Sequence, residues 1–485
     1  MTAPKKGISN TLTRLFLKFF ALNFNARTGL NRYLRCDDGW LNFTFGIKTE
    51  SSRVEQALTF TNGRVRVLKA YPPKPDAQLI FRDEAAMMEA VRMPPNKLMV
   101  ALMENRMVTR GNLAYLQLFN FYLSLLLKRS QIGKLKKEAK TEKRDYDMAD
   151  ASRQSIDKRV LKQLSASLPD PGVKWLTHPY LEAYSLADFP RLSEFLDIHL
   201  KTKAAICHER PLLLTEWFRE NGFETGQDGR PWSPELRQAH AFKHLMENRA
   251  PIIRTNDLVA GTTTTKEVGV VLYPDAHGTM IWGELLTAHY RPVNPYEVSP
   301  ETIEVLHNKV FPFWLKRNFR EWVREEKDFP LCQKLDERFA ACFLWKTVAL
   351  SHTIIDYPRV LALGTRGIMA EIDAEMEKSP AADQQKRDTL AAMKISLEGI
   401  NAYAGNLSAE ARRLAAETAD AGRKAELEKL ADICARVPAE PCTSLDDAVN
   451  AMWILWVGVH MENTNAGFSL GRLDQWLQPW FEADM

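Results

Sequence analysis

A densely charged segment divides the chain into two parts with different patterns. Residues 128–147 read KRSQIGKLKKEAKTEKRDYD and contain almost no large apolar side chains. Such a segment cannot contribute to a hydrophobic core, and it is typical of a linker or a solvated helix. We therefore predict a boundary segment at residues 128–165. It separates a small unit, residues 1–127, from a larger one, residues 166–485.

Composition and charge exclude several classes of protein. The 485 residues are 45% hydrophobic and 26% charged, which is enough to bury sizeable cores. The net charge of +4 is small for this length, so no nucleic-acid partner is expected. The six cysteines form no CxxC pair. This predicts neither a disulfide framework nor a metal site, and it fits a reducing cytoplasm.

The first apolar segment permits two interpretations. Residues 12–24 are apolar and aromatic, with Arg14 and Lys18 interleaved. A basic amphipathic helix lying on a membrane is one interpretation. We expect instead a first helix that packs on its own domain, and no membrane partner.

Residues 30–125 have the pattern of a small α+β unit. Leu41, Phe43, Phe45 and Ile47 alternate as in a half-buried strand, and Asn62-Gly63 predicts a hairpin turn. Further strands are predicted at 77–81 and 107–110, and helices at 83–93 and 113–127. This order of elements, with the ending MVTRGNLAYLQL, resembles the sterol-carrier-protein type of lipid-binding domain. The resemblance implies an apolar tunnel for an acyl chain or a similar molecule.

Long helices dominate after residue 160. Helical periodicity covers residues 190–200, 234–246, 299–325 and 383–435. Gly405 and Gly422 are expected to break the last of these segments.

Several short motifs are interpreted as chance matches. Gly467 to Gly471 reads GFSLG and fits GxSxG, but no histidine follows Ser469 as a hydrolase nucleophile would require. His240 and His244 stand four residues apart, yet no third metal ligand follows at a usual distance.

A series of longer segments is more specific. In order they are ICHERPLLLTE (206–216), NDLVAG (256–261), WGEL (282–285), PFW (312–314), SHTIIDYPRVLALG (351–364), VPAEP (437–441) and WILWVGVHMENTNAGFSLGRLDQ (453–475). In that order they resemble the first half of a glycyl radical enzyme of the pyruvate formate-lyase family, over roughly residues 200–485.

The resemblance implies a helix-rich α/β fold, the N-terminal half of a barrel built from two half-barrels. It also implies a glycyl radical that a separate radical S-adenosylmethionine activase installs, and a cysteine that receives the radical. The barrel excludes water and holds one substrate bond at contact distance. The implied partners are a small or hydrophobic organic substrate, the activase and a second copy in a homodimer.

Three residues carry over from the resemblance as substrate contacts. His352 follows Ser351 where dehydratase-type members have a substrate-contacting histidine. Ala466 and Gly467 stand where those members have a polar pair, and they resemble the small residues of pyruvate formate-lyase. The expected pocket therefore combines a hydrogen-bonding imidazole with open space.

The family's radical cysteine and C-terminal glycine lie beyond the segment that matches this chain, so we expect no catalytic residue here. Three explanations are open: a fragment of a longer enzyme, one half of a split enzyme, or a non-catalytic protein. We predict the N-terminal part of a radical lyase or dehydratase that needs a C-terminal part to supply Cys and Gly. The alternative is a lipid- or ligand-binding protein that retains a half-barrel.

Overall fold

The computed structural model describes residues 8–26, 28–92, 101–102, 104–127, 131–137, 139–141, 188–291, 294–327, 329–338, 352–464 and 467–484. Most of the predicted boundary segment at residues 128–165 lies outside these ranges, so its limits stay a prediction. Among the helices in these ranges, none combines the length and the hydropathy needed to cross a bilayer.

The described ranges contain eleven strands and a larger number of helices. The strands are β1 Arg35–Cys36, β2 Gly39–Trp40, β3 Phe43–Thr49, β4 Glu55–Thr61, β5 Arg64–Val67, β6 Ala77–Phe81, β7 Met107–Gly111, β8 Ala205–Cys207, β9 Gly269–Val271, β10 Thr353–Ile354 and β11 Phe468–Ser469. The helices of eight or more residues are α1 Ile8–Ala26, α2 Glu84–Arg92, α3 Leu113–Ser124, α4 Pro190–Lys201, α5 Glu209–Asn221, α6 Pro234–Asn248, α7 Pro330–Glu337, α8 Tyr357–Lys378, α9 Gln384–Glu417, α10 Ala421–Arg436 and α11 Leu445–Glu462.

Strands β3 to β7 form one five-stranded sheet in the order β5-β4-β3-β6-β7. Neighbouring strands are antiparallel except β3 and β6, which run parallel. The alternation predicted from the sequence is confirmed, because Phe43, Phe45 and Ile47 of β3 are all buried. The predicted hairpin is also present: Asn62 and Gly63 have φ of 49° and 73°, the left-handed backbone that a tight hairpin turn requires.

Helix α1 packs one face on this sheet. Leu17, Phe20 and Phe24 are fully buried, and the Phe20 ring lies 5.4 Å from the Phe119 ring of α3. The Asn25 side chain at the end of α1 donates to Val65 O at 2.8 Å and accepts from Val65 N at 3.0 Å. The helix therefore packs on its own unit, as expected, and it satisfies part of the edge strand β5.

One hydrophobic core extends from the N-terminal sheet into the larger unit. Its buried residues run from Leu17 to Leu315. Asn112, just before α3, donates to Leu315 O at 2.7 Å. His307, which is 1% exposed, contacts Tyr33 O through Nε2 at 2.9 Å. The sheet and residues 206–315 are thus packed together rather than merely linked.

A second core is formed by α6 and α8 to α11, with Trp476 at its edge. Helix α9 continues through Gly405, so the predicted break at that residue is wrong. No atom lies within 4 Å of a Cβ at Gly405, and strong helix formers surround it. The chain leaves helical structure between Glu417 and Ala421, and Gly422 lies inside α10.

Residues 299–325 were expected to form one helix, and the structure interrupts it. A π-helical stretch occupies Leu306–Val310, and a separate short helix begins at Phe319. Pro312 has no N–H to donate to the preceding turn, so a wider turn before it is the natural accommodation. The Asn318 side chain then accepts from Glu321 N at 3.0 Å and caps the next helix.

Candidate functional site

The candidate site lies at a short parallel strand pair, β10 and β11. Thr353 pairs with Phe468 and Ile354 with Ser469. Thr353 N also donates to Gly467 O at 3.1 Å. His352 and Gly467 each precede one of these strands, so the pairing places them side by side.

The His352 ring faces the position that a side chain at residue 467 would occupy. A Cβ built on Gly467 would lie 3.6 Å from His352 Cε1 and 3.7 Å from Nδ1. On its other side the ring contacts Ser469, with Nε2 and Oγ 2.5 Å apart. Two of the three residues predicted as substrate contacts are therefore neighbours. Ala466 lies outside the described residues.

Ser469 is the residue that sequence reasoning set aside. The GFSLG string was interpreted as chance because no histidine follows it, but the histidine that meets Ser469 precedes it in the chain. Ser469 lies within strand β11 rather than at a strand-to-helix elbow. Among the described residues no carboxylate bonds to His352, so the pair lacks the third member of a hydrolase triad.

A run of aromatic rings leads from α11 to β11. The rings of Trp453 and Trp456 are stacked, with their centroids 5.0 Å apart. The centroid of the His460 ring lies 4.0 Å from that of Trp456 and 4.4 Å from that of Phe468. Burial lowers the pKa of His460 to about 4, so its ring stays neutral at physiological pH. Its Nε2 is buried and has no hydrogen-bond partner among the described residues.

His460 was missed in the sequence. It occupies the last turn of α11 in the string WVGVHMEN, and nothing in that string shows that the helix ends beside β11. The signal that could have found it is an ionisable residue that follows a run of apolar and aromatic residues in a helix.

Buried Arg210 holds the C-terminal end of α11. Its side chain is 3% exposed and pairs with Asp275 through two bonds of 2.8 and 3.0 Å. Nε donates to Met461 O at 2.9 Å, and Nη2 donates to Glu462 O at 3.1 Å. These carbonyls belong to the last turn of α11, so the guanidinium satisfies acceptors that helix geometry leaves unpaired.

A second aromatic stack lies close to the strand pair. Tyr357 at the start of α8 and Trp476 lie 4.8 Å apart, and Trp476 Nε1 donates to Leu470 O at 3.0 Å. Next to this stack is an open, mainly apolar cleft of ≈ 620 Å³ whose walls include Ile354, Leu470 and Trp480. Ile354 of β10 lines this cleft, whereas His352 and Gly467 do not.

His240, from the pair of histidines four residues apart, lies among aromatic side chains. His240 stacks over Trp217 at 6.4 Å and lies 6.0 Å from Trp232. Within the described ranges no group of three or more His, Cys, Asp or Glu side chains could hold a metal ion.

Four of the five described cysteines have surroundings other than His352. Cys36 contacts Gly39 O, and Cys207 contacts Thr265 Oγ1. Burial raises the pKa of Cys434 and of Cys442 to about 12, and the Cys442 backbone is tied to Leu361 and Trp480.

Comparison with known proteins places this geometry in context. The sequence model described as "Pyruvate formate lyase-like" matches residues 188–485. The isethionate sulfite-lyase of Nitratidesulfovibrio vulgaris is 29% identical over 311 residues, which cover 62% of this chain and 37% of that protein. The trans-4-hydroxy-L-proline dehydratase of Clostridioides difficile is 26% identical over 313 residues, covering 61% and 37%.

Solved structures agree. The B12-independent glycerol dehydratase from Clostridium butyricum, in its glycerol-bound form, superposes with a TM-score of 0.55 at 26% identity, covering 60% of this chain and 36% of that one. A glycyl radical enzyme from Archaeoglobus fulgidus superposes with a TM-score of 0.55 at 28% identity, covering 61% and 37%.

The chain has a helix-rich α/β fold, and the solved structures on which it superposes include a glycyl radical enzyme. More narrowly, the chain belongs to the pyruvate formate lyase-like family, and the resemblance predicted from residues 200–485 is confirmed. The matched part spans about 37% of the first of these relatives.

Proposed function

We propose that this chain forms one wall of the substrate chamber of a radical lyase or dehydratase that acts on a small organic molecule. The observation that carries the proposal is the contact between His352 and Gly467 across β10 and β11. An imidazole can donate a hydrogen bond to a hydroxyl or carboxylate, or accept one from a hydroxyl. A glycine beside it leaves space for the substrate carbon skeleton.

The surrounding contacts support a preorganised wall rather than a mobile loop. His352 Nε2 is hydrogen-bonded to Ser469. The Arg210–Asp275 pair holds the C-terminal end of α11, which precedes β11 in the chain. Residues held in this way keep their geometry when a ligand arrives, which is what substrate positioning requires. We propose Ala466, the residue before Gly467, as a third contact to the substrate.

The relatives suggest which substrates to try. Their names refer to isethionate, trans-4-hydroxy-L-proline and glycerol, and all three molecules carry a hydroxyl group. We propose a hydroxyl-bearing substrate of this size for the present chain. The radical cysteine and glycine, the activase, a homodimeric assembly and a reducing cytoplasm are proposed with it, and family membership supports them.

The domain division is proposed in the same way. Residues 1–127 would form a sterol-carrier-like unit, residues 128–165 a charged boundary segment, and residues 166–485 the family unit. The five-stranded sheet supports a distinct first unit, and the core that it shares with residues 206–315 would lie between the two proposed units.

Binding titrations test the site. The full chain is titrated with glycerol, isethionate and trans-4-hydroxy-L-proline by calorimetry or ligand-observed NMR. The proposal expects binding of at least one probe, its loss in His352→Ala and its weakening in Ser469→Ala. His199→Ala is the matched control, because His199 is an exposed histidine on α4, away from the strand pair.

Anaerobic purification from native cells tests the reaction class. A preparation containing this chain that shows a glycyl radical by electron paramagnetic resonance, and that consumes the bound probe, supports the proposal. A preparation with no radical contradicts the lyase assignment, and retained ligand binding would then favour the non-catalytic alternative.

A further inference from the structure

Helix α1 has a second apolar face that points away from its own sheet. Its side chains are between 39 and 82% exposed, and they are Ile8, Leu12, Leu15, Phe16, Phe19 and Leu22. Their spacing of three or four residues places them on one stripe along the helix, opposite the buried Leu17, Phe20 and Phe24. Isolated exposed apolar residues are ordinary, but a continuous stripe of this kind marks an interaction surface.

The charge next to this stripe has one sign. Arg14 and Lys18 stand four residues apart along one border of the stripe. The first 36 residues contain no Asp or Glu, whereas their basic residues are Lys5, Lys6, Arg14, Lys18, Arg27, Arg32 and Arg35. One described carboxylate contacts α1 at its N-terminal end, where Glu84 accepts from Ser9.

We propose that the exposed face of α1 binds an anionic phospholipid surface, with the helix lying parallel to that surface. Leucine and phenylalanine side chains would enter the boundary between headgroups and acyl chains, while Arg14 and Lys18 meet lipid phosphates. The face lies outside residues 188–485, which match the family. The proposal is therefore independent of the proposed radical chemistry.

A lipid surface fits this face better than a second copy of the chain does. Two copies of α1 packed face to face and antiparallel would bring Arg14 and Lys18 close to their counterparts, and the first 36 residues hold no carboxylate to neutralise them. The expectation of no membrane partner followed from the inward face of the helix alone. The outward face is visible only in the structure.

Vesicle sedimentation of the full chain tests the proposal. Vesicles of phosphatidylcholine alone are compared with vesicles that also contain phosphatidylserine. The wild-type chain is expected to bind the anionic vesicles, and the double variant Phe19→Glu with Leu22→Glu to bind them more weakly by about tenfold or more. Leu200→Glu is the matched control, because Leu200 is a 78% exposed leucine on α4, and it should bind as the wild type does.

A charge variant separates the two parts of the surface. Arg14→Gln with Lys18→Gln should lower the preference for anionic over neutral vesicles by about tenfold. All variants should keep the wild-type Tm, since the changed side chains are not in the core.

Two results would overturn the proposal. One is a wild-type chain that sediments with neither kind of vesicle. The other is binding that Phe19→Glu with Leu22→Glu leaves unchanged. Self-association that disappears in that double variant, without vesicle binding, would assign the face to a second copy.

Discussion

His352 Nε2 and Ser469 Oγ lie 2.5 Å apart, although 117 residues separate them in the chain. The contact crosses β10 and β11 and sets the orientation of the imidazole beside Gly467. One ring nitrogen is thereby engaged by the protein. The other, Nδ1, has no hydrogen-bond partner among the described residues and can serve a ligand.

Substitutions at Gly467 should affect the ring in proportion to their size. Gly467→Ala should keep the fold and the ring position, because a Cβ there meets His352 at the ordinary distance of 3.6 Å. Gly467→Val adds two methyl groups at that contact and should displace the imidazole. NMR signals of the His352 ring would report this, with Tm measured to exclude unfolding. An unmoved ring signal in Gly467→Val would contradict the proposed geometry.

Arg210 should be one of the most sensitive positions in the chain. Arg210→Met leaves the Asp275 carboxylate and the carbonyls at the end of α11 without their donor, at a cost of about 3–5 kcal/mol. Removing both partners, as in Arg210→Met with Asp275→Leu, should cost less than the single change. Arg472→Met is the control, because the Arg472–Asp474 pair is mainly exposed and its loss should leave Tm unchanged. Urea denaturation measures the free energy of unfolding of all three variants. Equal losses in Arg210→Met and Arg472→Met would contradict this explanation.

His307 should make the stability of the first core depend on pH. Trp282 Nε1 donates to His307 Nδ1 at 3.0 Å, so the proton is on Nε2 and points to Tyr33 O. Burial lowers the pKa of His307 to about 4, below its value of about 6.5 in an unfolded chain. The unfolded state therefore binds the proton first as pH falls. The contribution of neutral His307 to the free energy of unfolding is complete above pH ~6.5 and declines towards pH ~4. At pH ~5 the free energy of unfolding is lower by about 2 kcal/mol than at neutral pH.

Urea unfolding at neutral and mildly acidic pH checks this prediction. His307→Gln should have a weaker pH dependence than the wild type, by the amount given above. His199→Gln changes an exposed histidine and should keep the wild-type dependence. Identical pH profiles for wild type and His307→Gln would exclude His307 as the source.

Two glycines, one at a kink within α8 and one inside α9, should respond in opposite ways to the same change. Gly364 in α8 has φ of 66°, and a Cβ there would lie 2.3 Å from Ala439 O. Gly364→Ala should therefore destabilise the fold by about 2 kcal/mol or more. Gly405 in α9 has no atom within 4 Å of such a Cβ, so Gly405→Ala should stabilise by about 0.5–1 kcal/mol. Thermal unfolding decides between these signs, and a loss of stability in Gly405→Ala would be the contrary result.

Local patterns made the N-terminal sheet predictable. Strand β3 follows from alternating apolar residues and the β4–β5 hairpin from Asn62-Gly63, because both signals lie within a few residues. The strands of the candidate site have two residues each and carry no periodicity. Their pairing depends on where α8 to α11 bring the chain, so His352 and Gly467 were found through family motifs alone. No motif in the sequence indicated the contacts that Ser469 and His460 make.

The first core also restricts how a gene for such a chain can change by recombination. Side chains on both sides of the charged boundary segment interlock in that core, as Phe121 does with His307 at 4.8 Å. A crossover at residues 128–165 that exchanged the N-terminal unit would leave apolar surface around Trp282 and His307 without its partner. A replacement would have to arrive with a surface already shaped to fit. The two parts look separable in the sequence, yet we expect them to be inherited together.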